Sequence, residues 1–264
     1  MAKASRFIPT CAVLTALAPH VHAQDSASRQ DLTAIPVTRS FNLVGVGVGL
    51  LPEFSGAESY RSMVLPILRA DYKDRVYINV LQAGVWLWSA DDKSVRIGLA
   101  VEPRFGYKGS EGGRVQGMAD RKFSIEGGPN IQWRTPVGVV YANFYQDLSG
   151  ASSGQSAQLQ FIRPLVTGRK LFVNGFAGIN WLSGQLNDYY FGVRTNEATL
   201  ARPAYTAGAT TNLQLGVNGA YAITERGSIL FGANVIRLGS ESSNSPIAET
   251  RLQAVVYAGY AISF

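Results

Sequence analysis

Histidine is the side chain best suited to general-base work near neutral pH, and cysteine to thiolate chemistry, disulfides and soft-metal binding. This chain of 264 residues has two histidines and one cysteine, and all three, His20, His22 and Cys11, lie within its first 23 residues. That stretch has a basic start (Lys3, Arg6), an apolar run from Phe7 to Leu17 and a small-x-small end at Val21-His22-Ala23. It reads as a secretion signal cleaved before Gln24, too short to cross a bilayer. Cys11 sits inside the apolar run rather than at its end, where a lipid acceptor would stand. The mature chain is therefore expected to carry neither histidine nor cysteine. Ser-His-Asp and Asp-His catalysis and Cys/His zinc sites are then out of reach, and no disulfide can staple the fold. Stability has to come from a large hydrogen-bonded framework.

Carboxylates remain as chemistry-bearing groups. Glu102 and Glu126 are expected to face inward on adjacent strands, with Arg96 and Arg104, and also Arg69 and Asp71, in their neighbourhood. These residues form either a polar filter or a set of lumen salt bridges that plugs a narrow barrel, and the plug is the preferred reading because buried charges need partners. Gly45-Val46-Gly47-Val48-Gly49 has a superficial likeness to a phosphate-cradling loop. No helix pattern follows it, so the alternate glycines read as a smooth inner wall. No metal, cofactor or catalytic residue is assigned, and the chain is expected not to be an enzyme.

The elements that hold these groups show period-two alternation, with no apolar window approaching the roughly 18–20 residues of a membrane helix. Val95, Ile97, Leu99, Val101, Pro103, Phe105 and Tyr107 alternate with Arg96, Gly98, Ala100, Glu102, Arg104 and Gly106. From Tyr205 to Ile223 the odd positions are mostly apolar and the even ones small or amide-bearing, a run far longer than the usual five or six residues of a soluble strand. Tight connections (Arg134-Thr135-Pro136, Val166 to Arg169, Thr224-Glu225-Arg226) alternate with long polar ones (Gly109 to Arg121, Ser183 to Ala204, Gly239 to Glu249). Short periplasmic turns and long outer loops mark an outer-membrane barrel. Leu252, Ala254, Val256, Ala258, Tyr260, Ile262 and Phe264 share one face of the last segment. Tyr260, Ile262 and the terminal Phe264 thus look like the ending read by the barrel assembly machinery.

The predicted fold is all-β: a transmembrane antiparallel β-barrel of the bacterial outer membrane, with an even number of strands. Twelve is preferred if Arg75 to Ser89 bends near Gln82-Ala83-Gly84 into two halves of about six residues, against the nine to eleven a membrane strand wants; ten is the alternative. The expected layout is a signal peptide at 1–23, a loose periplasmic lead at 24–38 and the barrel at 39–264. Trp86, Trp88, Trp133, Trp181, Tyr60, Tyr72, Tyr141, Tyr145 and Tyr205 are assigned mainly to interfacial belts. The formal charge of +6 becomes +4 once Lys3 and Arg6 are removed, and the basic residues are scattered, which leaves no nucleic-acid footprint. Lipid and lipopolysaccharide are the expected surroundings.

Particular residues carry a family resemblance. Gly47 to Arg61, with Pro52, Gly56 and Tyr60, resembles the G-x-G-x-x-P-x-[YF]-x-G-[SA]-x-x-Y-[RK] opening of the MipA/OmpV outer-membrane proteins. Leu65-Pro66-Ile67 and Asp71-Tyr72 continue it, and Tyr190-Phe191-Gly192-Val193, Pro203 to Gly208 and Ser245-Pro246-Ile247 are similar to later family motifs. Tyr107 to Gly113 departs from the family's usual Gly-Arg loop. The resemblance implies a non-enzymatic barrel that scaffolds a lytic murein transglycosylase with a murein synthase in cell-wall maintenance. It leaves open a small-solute porin-like channel, or a surface adhesin acting through Ser183 to Ala204 and Gly239 to Glu249.

Overall fold

In the computed structural model, which describes residues 42–264, twelve antiparallel strands close into one barrel. They are β1 (Leu43–Pro52), β2 (Tyr60–Tyr72), β3 (Val76–Asn79), β4 (Gln82–Ser89), β5 (Val95–Arg104), β6 (Ser124–Thr135), β7 (Gly138–Asp147), β8 (Gln155–Thr167), β9 (Leu171–Leu182), β10 (Thr210–Ala222), β11 (Gly227–Arg237) and β12 (Leu252–Ser263). Each strand pairs with its neighbours in sequence, and β1 meets β12 from Leu43↔Ser263 to Leu50↔Val256. Closure is what lets strands cross lipid, because it leaves no backbone edge without a partner. The expected signal and lead, 1–23 and 24–38, lie outside the described residues.

Alternation sets the two faces. On β1, Val44, Val46, Val48 and Leu50 point outward, each 45–56% exposed, while Gly45, Gly47 and Gly49 line the lumen. A Cβ on Gly47 would stand 2.8 Å from the Ala258 carbonyl oxygen of β12, so the glycines let the closing strands come together. On β5, Ile97, Leu99 and Val101 face out while Arg96, Ala100, Glu102 and Arg104 are buried inside. Tyr260, Ile262 and Phe264 are all exposed outward at the end of the chain. So continuous an apolar outer surface suits lipid and would be untenable in water.

Several sequence expectations need correction. The hairpin between β3 and β4 turns at Val80-Leu81, ahead of the expected Gln82-Ala83-Gly84, and splits the segment into four and eight residues. Val80 adopts φ +56°, costly for a β-branched residue, but its side chain packs against Leu43, Ile67, Leu230 and Ala261. Gly84 serves a different purpose, since a Cβ there would stand 2.6 Å from the Tyr77 ring, which stacks on Trp86 with centroids 4.8 Å apart. Because β3 is so short, β2 runs past it. The Pro66 position, which has no N–H to donate, faces that side, and Arg61 higher on β2 reaches Glu111 of the next long loop at 3.3 Å.

The long alternating runs also end sooner than expected. Strand β10 begins at Thr210, and Tyr205 and Ala207 belong to a loop packed over the barrel; Tyr107 likewise is buried in the loops. Of the belt aromatics, Trp88, Trp133, Tyr60 and Tyr72 are exposed, whereas Trp86, Tyr141 and Tyr145 point into the lumen. A bulge between Trp86 and Trp88 places Leu87 and Trp88 together on the outside, which strict alternation could not do.

Candidate functional site: the outer cap and the polar lumen

Loops 53–59, 105–123, 183–209 and 238–251 meet over the outer mouth, where Phe54, Tyr107, Val193 and Ile247 share one cluster. The loop after β9, a long polar connection in sequence, contains a helix, α1 (Gly184–Phe191). Ser183 caps it, its hydroxyl accepting from the Leu186 N–H. Tyr190 and Phe191 of α1 join Leu182, Leu186, Ala207, Ile236 and Leu238 in one apolar cluster; Phe54, Ala57, Tyr107, Val115, Met118, Val193 and Ile247 form another.

The residues quoted for the family resemblance are spread along the chain, yet most gather in this cap. Pro52 ends β1 beneath it, and Gly56 turns the first loop with φ +98°. The Gly56 carbonyl accepts from the Glu249 and Thr250 N–H groups at 2.7 and 3.0 Å, tying the first loop to the last. A Cβ on Gly56 would approach Ala248 at 3.1 Å, so both the turn and the contact call for glycine. The Ser245 hydroxyl donates to the Phe191 carbonyl, the Pro246 carbonyl accepts from Arg114 at 3.1 Å, and Gly192 ends α1 with its N–H on Asp188. Tyr60, at the head of β2, accepts the Ala254 N–H at 3.0 Å.

The strongest polar link in the cap went unnoticed in the sequence. Arg121 and Glu197, 76 residues apart, form a bidentate ion pair with both contacts at 2.9 Å and both side chains almost fully buried. The remaining Arg121 donors reach the carbonyls of Tyr189 (2.6 Å), Ala119 (2.8 Å) and Gly192 (3.2 Å). Its guanidinium lies over the Tyr107 and Tyr189 rings, 5.7 and 5.9 Å from their centroids. Burial tends to raise the Glu197 carboxyl, but hydrogen bonds from Arg121 and from the N–H groups of Arg194 and Ala119 outweigh it and hold the group down to about 2. Arg202 adds a second clamp, donating to the Arg114, Gln116 and Glu197 carbonyls. No spacing rule marks such pairs, because loops bring them together.

Beneath the cap, the expected lumen set divides in two. Glu102 and Glu126 are directly opposite on β5 and β6. Arg104 forms a buried bidentate pair with Glu126, which also accepts the Ser156 hydroxyl at 3.0 Å, while Glu102 accepts from Gln82 at 3.2 Å. Tyr190 lies over the Arg104 guanidinium at 5.6 Å, joining cap and lumen. Arg96 stands apart from these: it is six residues lower on β5, roughly 20 Å along the strand, and pairs with Asp74 at 3.3 Å near the periplasmic end. Arg69 and Asp71 lie at that end too. Between the two groups the wall of β6 to β11 bears amides, with Asn130, Gln160, Asn174, Gln214, Asn218 and Asn234 all buried. Among the described residues, no cluster of three or more metal-ligating side chains occurs.

A closed antiparallel barrel, apolar outside and polar inside, with its outer mouth covered by interlocked loops, defines an outer-membrane β-barrel protein. The match of residues 44–264 places the chain in the family described as MltA-interacting protein MipA, to which it belongs. It is 35% identical over 158 residues to outer membrane protein Omp26La of Vibrio anguillarum and 33% identical over 158 residues to outer membrane protein OmpV of Vibrio cholerae. Each match covers 60% of this chain and 61% of the relative. The MltA-interacting protein of Escherichia coli is 22% identical over 225 residues, covering 84% of this chain and 89% of that one.

Proposed function

We propose that this outer-membrane barrel is a non-enzymatic scaffold that holds a murein hydrolase and a murein synthase against the membrane during cell-wall maintenance. The observation that carries the reading is the cap: a lumen covered by a buried, bidentate Arg121–Glu197 pair and two apolar loop clusters is built to stay shut, which leaves its surfaces as the working parts. The alignment with an MltA-interacting protein along most of the chain supports the same view. Incubating the refolded, tagged barrel with a purified lytic transglycosylase and a murein synthase should retain both on the column. Recovery no higher than with an unrelated barrel of similar size would sink the scaffold.

The amide-lined interior favours a second reading, a channel for small uncharged solutes. Planar-bilayer recording separates the two: stable unitary openings from the intact protein support the channel, and silence supports the scaffold.

A further inference from the structure

The periplasmic mouth of the lumen has a character of its own. A cavity of about 180 Å³ opens there, bounded by Arg69, Arg96, Arg134 and Lys93 and by two carboxylates, Asp71 and Asp74. Four cations thus face two anions. Asp74 is engaged by Lys93 and, at 3.3 Å, by the Arg96 Nη2, while Asp71 accepts the Asp74 N–H at 2.9 Å.

Arg96 is the central residue of this set. Its side chain is 6% exposed, its guanidinium lies 5.7 Å from the centre of the Trp86 ring, and its Nε–H is buried with no acceptor. A buried guanidinium donor without an acceptor is costly, and it marks where an acceptor belongs. Barrel register places the rest. Arg96 sits opposite Gln132, which in turn sits opposite Tyr141, so the three line one level of the lumen across β5, β6 and β7. Arg134 follows Gln132 by two residues on the same face of β6, making it the diagonal neighbour of Arg96 about 7–8 Å away.

We propose that this vestibule is a binding site for a small organic carboxylate reaching the barrel from the periplasm. The planar forks of Arg96 and Arg134 suit a carboxylate head, and the Trp86 ring with its Tyr77 partner offers an apolar wall to a short carbon body. The forks by themselves would accept a carboxylate or a phosphate, and it is the ring wall of Trp86 and Tyr77 beside them that favours a carboxylate carrying a short carbon body over inorganic phosphate. The size of the cavity limits the ligand to a few carbon atoms. The site does not depend on the scaffold reading, since it needs only the barrel.

Titration calorimetry on the refolded protein in detergent at low ionic strength tests it, with succinate, inorganic phosphate and choline as separate probes. Succinate should bind saturably, and more tightly than phosphate, with no binding of choline. Arg96→Gln should weaken succinate binding by about tenfold and the solvent-exposed Arg134→Gln by several-fold, in line with loss of charge-assisted hydrogen bonds. Arg114→Gln in the distant cap should leave it unchanged. Heat-modifiable migration on gels reports the fold, and should Arg96→Gln fail to fold, Arg134→Gln decides. Absence of saturable succinate binding, phosphate binding as tight or tighter, binding of choline, or wild-type affinity in Arg134→Gln would each overturn the proposal.

Discussion

Arg121 is the side chain on which the cap turns. Every guanidinium donor meets a carboxylate or a carbonyl, so removing the carboxylate leaves a buried charge with only carbonyl dipoles and ring faces around it and no counter-ion, a loss of up to about 3–5 kcal/mol. Glu197→Gln should therefore loosen the cap while the barrel stays folded: trypsin should cut within 183–209 at least tenfold faster, and the heat-modifiable band should persist. Equal cleavage rates in variant and parent would show that the pair is not holding the loops. The pH dependence follows from the same carboxylate. With its folded value held down to about 2, against 4.5 ordinarily, its contribution is fully present above the ordinary value and drains away as pH falls towards 2. The near-ultraviolet circular dichroism of the packed cap aromatics should hold at pH 5 and fall away between about pH 4 and 2; its loss already at pH 6 would point to a different latch.

Among the elements, the seam between β1 and β12 is the one that makes a sheet into a barrel. Gly47 sits where a Cβ would meet the Ala258 carbonyl at 2.8 Å, and Gly45 faces Tyr260 and Ala261 still more closely. Replacing Gly47 by Val presses a branched side chain against backbone that cannot move without parting the strands. Its refolded yield in detergent, read as the fast-migrating unheated band, should fall several-fold or more, whereas Val46→Leu on the outer face should refold as the parent does. A normal yield for Gly47→Val would show that the seam tolerates the extra volume. The short hairpin of β3 and β4 illustrates a different economy. Its Val80 is held in a left-handed conformation by packing from other strands, so the position of the turn is a property of the assembled lumen rather than of Val80-Leu81.

Taken as a whole, the molecule is a cylinder with its own loops packed over one end, the Arg104–Glu126 pair beneath them, and a wall of neutral amides between that pair and the charged vestibule at the other end. Shortening the loop after β9 by replacing 184–208 with Gly-Ser-Gly removes α1, Glu197 and Arg202 together. If the cap is what seals the lumen, that variant should give stable conductance steps in planar bilayers where the parent is silent. Silence from a variant that still inserts would mean that side chains deeper in the barrel, such as the Arg104–Glu126 pair, close the path by themselves.

Much of this was legible in the linear sequence, because a lipid-facing strand imposes its own period. Alternation placed Ile97, Leu99 and Val101 outside and Arg96, Glu102 and Arg104 inside, and it set the outward face of β12 through Tyr260, Ile262 and Phe264. The sizes of the connections, short on one side and long on the other, determined which end is elaborated. Tertiary structure alone decided where alternation stops. Tyr107 and Tyr205 continue an apolar period in sequence but fold back into the cap, since their partners come from loops far away along the chain. It also divided the lumen charges, separating Arg96 from Glu102, and it paired Arg121 with Glu197. A local period follows from the solvent each face meets and can be read residue by residue; the contacts of loops and the level of a charge along a barrel depend on register and closure, which exist only once every strand has found its neighbour.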